Sequence, residues 1–262
     1  MKKDVVAGLG EIGSPILKLL SKKYNVVGFD IDKKLMKNIK SQKSQKYQTS
    51  FLNITIPVSQ KFDSSVISLF KKFMPECIVI HSTISPGTTE RLQKHQQITI
   101  IYSATRGVHK RMLKDVKRYT KFFAISKNAP KRRWAIITYS RKMKHFGVKT
   151  KQMSKPETLE LAKILCDTSY LGWLINYSQI TNVISKTYDV NYDEMWLFSD
   201  EINKLLGNRP KMYPGYIGGH CVIPNLELIN SQTLNLIKKM NNYYAKKVKN
   251  TKSIHKKYLK RT

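Results

Sequence analysis

The stretch DVVAGLGEIGSPILKLLSKKYNVVGFDID, residues 4–32, constrains the fold more than any other part of the chain. Val5 to Ala7 form a short apolar run, and Gly8, Gly10 and Gly13 follow as G-x-G-x-x-G. Ile16, Leu17 and Leu20 have helical spacing, and NVVGFD reads as a second strand that ends on Asp30. Strand, glycine turn, helix, strand and an acid about 20 residues on form the context of a dinucleotide-binding unit. Each glycine has a task. Gly8 allows a tight turn, Gly10 lets backbone approach a pyrophosphate, and Gly13 lets helix and strand pack closely. The helix N-terminus adds free N–H groups and a partial positive charge. Asp30 suits ribose hydroxyls and repels a 2′-phosphate, so NAD is expected over NADP. The candidate cofactor site is Gly8, Gly10, Glu11, Ile12, Gly13 and Asp30, with Pro57 and Thr83 at later strand ends.

The alternation continues. FLNITIP, ECIVIHST, ITIIYSA and YTKFFAIS read as strands, and SSVISLFKKFM, PGTTERLQKH and APKRRWAIITYSRKMKHFG as helices. Strands alternating with helices predict a doubly wound parallel α/β sheet of Rossmann type, over residues 1–153. Ligands of such sheets lie beyond the carboxyl ends of the strands. Pro57, Thr83 and Thr105 fall at such ends.

From Lys155 the pattern becomes helical. A long helix is expected from Pro156, since KPETLELAKILCDTSYLGWLINYSQITNVISKTY carries no strand punctuation. NYDEMWLFSDEINKLL is a further helix, closed by Gly207. Residues 154–240 are expected to form an all-helical second domain, with a basic tail over 241–262. On one α-helix, Glu160, Lys163 and Asp167 share a face. Spacing alone leaves that face as either a solvated charged stripe or a site.

The net charge is +31. It raises a polyanionic partner as a possibility, but the lysines are scattered and no nucleic-acid motif accompanies them. No apolar stretch reaches the ~18 residues of a membrane span. MKKDVVAGLGEIG reads as a first strand and not a signal peptide. The three cysteines, Cys77, Cys166 and Cys221, have no framework spacing. They suggest a reducing, cytoplasmic setting and no metal site. Cys77 and Cys166 read as core thiols.

Cys221 is different. PGYIGGHCVIPN, residues 214–225, sets it behind Gly218, Gly219 and His220, just ahead of an expected helix. A thiol acts as thiolate, favoured near a cation or a helix start. The plainer alternative is a small buried hydrophobe in a turn. A dinucleotide fold with a thiol in a glycine loop suggests an oxidation that passes through an aldehyde, to which the sulfur adds.

These residues resemble the UDP-glucose/GDP-mannose dehydrogenase family, and especially its UDP-N-acetylmannosamine branch. GLGEIGSPIL, GFDID, HSTISPGTT, ETLELAKIL and PGYIGGHCVIP occur in the family's order, over about residues 3 to 230. The resemblance implies oxidation of a nucleotide-sugar C6 alcohol to a uronate, with two NAD molecules. It implies Cys221 as nucleophile and Lys163 as the cation that steadies the oxyanion. Thr83 would help hold a water, and Gly218, Gly219, His220 and Lys163 would meet the sugar. A homodimer through the long helix from Pro156 is expected, and neither membrane nor nucleic acid as a partner.

The chain departs from the family pattern in three residues. The family's acid/base glutamate falls at Thr105. The asparagine beyond the lysine is Asp167, and the aspartate beyond the cysteine is Asn225. The last two look like an exchanged pair, which makes Asp167 the candidate base, with His109 and His220 as alternatives. Family members usually carry a third, nucleotide-binding domain, and this chain ends in the basic tail instead. Two other activities stay open: a β-hydroxyacid dehydrogenase, and an NAD-binding sensor or scaffold.

Overall fold

A computed structural model describes residues 2–36 and 48–248 of the chain. It divides into two compact units, Met1–Lys163 and Ile164–Thr262.

The first unit is a sheet clothed by helices. Its elements are β1 (Lys2–Ala7), α1 (Gly13–Leu20), β2 (Val26–Phe29), α2 (Lys33–Met36), β3 (Gln48–Ile54) and α3 (Phe62–Phe73). They continue with β4 (Cys77–Ile80), α4 (Thr88–Lys94), β5 (Thr99–Tyr102), α5 (Met112–Arg118), β6 (Lys121–Ile125), α6 (Arg132–His145), β7 (Thr150–Gln152) and α7 (Pro156–Ala162). The strand order is β2-β1-β3-β4-β5-β6-β7. Strands β4 and β5 read as near-unbroken apolar runs because both faces of the sheet are covered. One core lies against each face. Val6, Phe51, Val79 and Ile101 belong to one, and Val5, Leu52, Ile78 and Ile100 to the other. The alternation of neighbouring residues between the two cores is the period-2 geometry of a strand.

The α/β class is as the alternation predicts, with one difference. β5 and β6 pair antiparallel, with Ile101 opposite Ile125 and Tyr102 opposite Ala124. All other pairings in the sheet are parallel. The first residue of β6, Lys121, therefore lies at the edge where β5 ends.

Two buried carboxylates tie helices to this sheet. Asp4 on β1 accepts a hydrogen bond from Lys142 of α6 and one from the Phe51 N–H. The Lys142 ammonium also lies 4.4 Å from the centre of the Phe51 ring. Glu160 of α7, fully buried, reaches the start of α4. It accepts from the Gly87 N–H at 2.6 Å, the Thr89 N–H at 2.9 Å and the Thr89 hydroxyl at 2.6 Å. Those N–H groups have no partner inside their own helix, so a carboxylate from another element caps them. Glu160 is thus neither exposed nor part of a solvated stripe. Its bonds hold α7 to the first unit, so the division falls at Lys163, later than the expected boundary at 153.

The second unit is helical. Past α7 the expected long helix continues without a gap, first as a π-helical segment, Lys163–Ser169, and then as α8 (Tyr170–Thr187). α9 (Tyr192–Leu206), α10 (Ile223–Leu226) and α11 (Gln232–Lys247) follow. α9 begins at Asn191, whose side chain accepts from the Asp193 and Glu194 N–H groups, and ends at Gly207 with φ of 65°. The small core is Ile164, Ile175, Met212, Ile217, Leu226, Leu234 and Ile237. α11 runs to Lys247, so the stretch expected as a tail opens as helix; from 249 on it lies outside the described residues. The π-turn alters the helical register, and Cys166 is exposed and not a core thiol. No helix among the described residues is long and apolar enough to cross a membrane.

Replacing Glu160 tests the cross-element cap. Glu160→Ala leaves two N–H groups and a hydroxyl unsatisfied, with an expected loss of roughly 2–4 kcal/mol in urea unfolding. Glu160→Gln should lose less. Burial raises the Glu160 carboxyl above its ordinary 4.5, although hydrogen bonds from Thr89 and Gly87 oppose this. Between those two values the folded state holds a proton that the unfolded chain has released. This group's contribution is therefore greatest below the ordinary value and falls as pH rises through the raised one. Unfolding of Glu160→Gln, followed upward from the ordinary 4.5, should lack that slope.

Candidate functional site

The glycine turn is packed too tightly for any other residue at two of its positions. Gly8 follows β1 with φ of 92°, and a Cβ there would lie 2.8 Å from the Thr55 backbone. A Cβ on Gly13 would lie 1.7 Å from the Gly8 carbonyl oxygen. Gly10 differs: a Cβ there would meet nothing within 4 Å. Gly8 and Gly13 therefore serve packing, and Gly10 leaves a bare, open stretch of backbone. Helix α1 starts at Gly13 with no side-chain cap from Ile12. The Ser14 N–H donates to the Gly10 carbonyl at 3.1 Å, and Pro15 has no N–H to offer.

Asp30 lies just past β2 and binds the turn. Its Oδ2 accepts from the Leu9 N–H at 2.6 Å, and its Oδ1 accepts from the Asp32 N–H at 2.8 Å. Each oxygen keeps a second lone pair for another donor, such as a ribose hydroxyl. The sequence places Gly8, Gly13 and Asp30 in one motif, and the structure brings them together. It adds Thr55, which sequence reasoning missed. The Thr55 hydroxyl reaches the Ala7 carbonyl at 2.9 Å and the Gly8 carbonyl at 2.5 Å, fastening the end of β3 to the turn. Ile31 was missed as well; it is 93% exposed directly beside Asp30. Glu11 and Pro57 are exposed, and Ile12 and Thr83 half-buried. An open glycine backbone and a carboxylate with spare lone pairs fit a dinucleotide.

Beyond β4, the Ser82 hydroxyl donates to the Ile56 carbonyl at 2.7 Å, which joins two strand ends. Buried His81 lies with Nε2 3.0 Å from Asn53 Oδ1. Beyond β5, Thr105 donates its N–H to the His81 carbonyl. Its hydroxyl lies 2.8 Å from the Lys121 ammonium nitrogen. Lys121 carries no motif signal, because strand direction alone puts it there. The side chain of His109 lies outside the described residues.

The second unit holds the thiol loop. Gln179 and Asn241, both buried, anchor it from α8 and α11. Gln179 Nε2 donates to the Gly215 carbonyl at 2.6 Å and to Asn241 Oδ1 at 3.0 Å. Asn241 accepts from the Ile217 N–H at 2.8 Å and donates to the Ile217 carbonyl at 3.1 Å. Ser178 and Tyr192 both donate to the Met212 carbonyl. The chain leading to Gly218 is therefore held by side chains, with no strand or helix of its own. Gly219 has φ of 82°, in the left-handed region that glycine alone enters freely. His220 is exposed and Cys221 half-buried. Asn225 donates to the Cys221 carbonyl at 2.6 Å, which brings those two candidates together. Lys163 and Asp167 lie in the π-helical segment, and Asp167 is exposed. π-turns occur often at functional sites.

No family model matches the chain, and no curated protein sequence is significantly similar to it. Solved structures do match. A UDP-D-ManNAc dehydrogenase from Pyrococcus horikoshii superposes with a TM-score of 0.73 at 19% identity, covering 93% of this chain and 69% of that one. A UDP-glucose dehydrogenase from Pyrobaculum islandicum gives 0.72 at 15% identity, covering 93% and 68%. A 3-hydroxyisobutyrate dehydrogenase from Mycobacterium tuberculosis gives 0.64 at 13% identity, covering 100% of this chain and 94% of that one. The chain has the fold of these dehydrogenases. At such identities the likeness is one of fold.

The turn makes a sharp prediction. Gly13→Ala drives a methyl group into backbone and should cost roughly 2–4 kcal/mol or prevent folding. Thr55→Val removes only the hydroxyl and should cost about 1–2 kcal/mol. Thermal melts of the two variants should rank in that order.

Proposed function

We propose that the chain is an NAD-dependent oxidoreductase that converts the C6 alcohol of a nucleotide sugar, a UDP-hexose or UDP-N-acetylhexosamine, to a uronate. The observation that carries this is the pairing of two built features in one chain. One is a dinucleotide turn whose Gly8 and Gly13 admit no side chain. The other is a glycine loop that presents Cys221 with Asn225 on its carbonyl. The shared fold with a UDP-D-ManNAc dehydrogenase supports the substrate class.

Gly8, Gly10 and Gly13 with the start of α1 would hold the pyrophosphate. Asp30 would hold the adenosine ribose, and exposed Ile31 offers an apolar face to the base. Beside Asp32, Asp30 also disfavours a 2′-phosphate. When bound, the cofactor supplies a hydride acceptor. The alcohol loses a proton and a hydride and becomes an aldehyde. The Cys221 sulfur then bonds to the aldehyde carbon, and the carbonyl oxygen becomes the hydroxyl of a thiohemiacetal. Loss of a second proton and hydride leaves a thioester, and water cleaves its C–S bond to give the acid and the free thiol. Lys163 would steady the negative oxygen in these steps. Asp167 would serve as base for the water, with Thr83 helping to hold it. A reducing, cytoplasmic setting suits a working thiol.

A second reading has one observation in its favour. The chain covers 94% of the 3-hydroxyisobutyrate dehydrogenase and 69% of the Pyrococcus horikoshii protein. A single oxidation of a β-hydroxy acid would need one hydride transfer and no thiol.

NADH formation from NAD and a panel of UDP- and GDP-sugars decides between them. Two NADH per sugar, abolished in Cys221→Ala, is the expected result. One NADH per β-hydroxy acid, indifferent to Cys221→Ala, would establish the second reading. NAD binding without turnover of either class would leave a sensor or scaffold.

A homodimer through the helices after Pro156 is part of the proposal. α9 buries none of its residues, and Phe198 on it is 90% exposed and Leu205 80%. So large an apolar display is unusual for a surface helix without a partner. Sedimentation should give twice the chain mass, and Phe198→Lys should halve it.

A further inference from the structure

Lys121 is a buried cation that nothing in the dinucleotide or thiol sites uses. It is 6% exposed, and Thr105 is 5% exposed. Its nitrogen lies 2.8 Å from the Ser103 carbonyl, 3.0 Å from the Ala104 carbonyl and 2.8 Å from the Thr105 hydroxyl. Among the described residues it forms no ion pair. A lysine buried without a carboxylate is costly as ammonium. Burial first, then the charges of Lys163 and Arg106, hold it well below the ordinary lysine value of 10.5.

The three partners are not equivalent. The two carbonyls can only accept, so each takes an N–H from Lys121 in either protonation state. Thr105 alone has a proton to give. As ammonium, Lys121 donates its third N–H to the threonine oxygen. As amine, it has two N–H groups for the carbonyls, and its lone pair accepts from the threonine hydroxyl. The same geometry serves both states, and a proton can pass between them without moving a heavy atom. Antiparallel β6 sets this pair at the carboxyl edge of β5, where ligands of open α/β sheets lie.

We propose that Lys121 and Thr105 form an amine–hydroxyl proton-transfer pair, with Thr105 meeting the substrate alcohol and Lys121 accepting the proton behind it. The substrate O–H proton passes to Thr105 Oγ1 while the Thr105 proton passes to Lys121 Nζ. The substrate C–H bond gives up its electron pair as hydride to the bound nicotinamide, and the C=O bond forms. The new ammonium returns its proton through Thr105 to water. The facing titratable groups are few. His81 is buried and held well below its usual range, chiefly by burial. Tyr139 donates its hydroxyl to Ser103 and is pushed up, chiefly by burial. Arg106 donates to the Thr120 carbonyl, and Lys163 lies at the end of α7. Among the described residues, no facing group supplies a carboxylate that would keep Lys121 charged.

The use of the pair on an alcohol rests on the proposed dehydrogenase activity, but the pair itself does not. Lysine labelled with 13C at Cε, followed by NMR against pH, reads the pair alone. The Lys121 signal is the one missing in Lys121→Arg. It should titrate well below the other lysines. Thr105→Val should move its midpoint further down, because the ammonium loses a charge-assisted acceptor that is worth more than the neutral bond the amine loses. A Lys121 that titrates with the surface lysines, or whose midpoint is unmoved in Thr105→Val, is not coupled to the hydroxyl and overturns the proposal. In turnover, Lys121→Met and Lys121→Arg should each lower kcat by about 100-fold or more, with NAD affinity unchanged. They should also remove the acidic limb of the pH–rate profile, and Thr105→Ser should retain it. Full activity in Lys121→Arg would also overturn the pair, since a guanidinium cannot accept the proton. If the wild-type chain oxidises none of the substrates, the dehydrogenase activity falls and the NMR titration still decides the pair.

Discussion

The first unit depends on how closely three pieces of backbone approach one another at the glycine turn. The end of β1, the end of β3 and the start of α1 converge there. Gly8 and Gly13 permit the approach, and the Thr55 hydroxyl fastens it through the Ala7 and Gly8 carbonyls. Asp30 closes the fourth side by accepting the Leu9 N–H. The backbone that would meet a pyrophosphate is positioned as a consequence of sheet packing. Binding geometry and stability share the same atoms, so a change at Gly13 cannot alter one alone.

The second unit solves the opposite problem. Its thiol loop has almost no regular structure, so its backbone groups need partners from elsewhere. Buried amides supply them. Gln179 and Asn241 bind each other and the Gly215–Ile217 backbone, and Ser178 and Tyr192 hold Met212. A connected polar network fixes one geometry where apolar packing alone would tolerate several. Glu160 does the same in the first unit, where one carboxylate satisfies three donors of α4 and the turn before it.

Much of this was legible in the sequence. The strand–turn–helix–strand order, the α/β class and the grouping of Gly8, Gly13 and Asp30 follow from local spacing. So does the proximity of Asn225 to Cys221, since four residues at a helix start make one turn. The anchoring residues were not legible. Thr55 is one threonine among many at a strand end, and Gln179 and Asn241 are single amides on helices, 62 residues apart. Nothing local marks such residues, because their partners are distant in the chain. The helix expected past Pro156 does run on to Thr187, but the π-helical segment inside it was not legible for a related reason. A π-turn costs one misplaced hydrogen bond and leaves helical periodicity nearly intact, so composition does not announce it.

Taken alone, the sequence determined whatever depends on a residue's own conformational freedom and on its near neighbours. That includes the glycine turn, the acid after β2 and the alternation of strands and helices. Tertiary structure alone decided strand direction. YTKFFAIS has the same period-2 pattern whether it runs parallel or antiparallel to β5, because side-chain alternation is blind to chain polarity. Its antiparallel course carries Lys121 to the edge where Thr105 lies, and the opposite course would carry it to the far edge of the sheet.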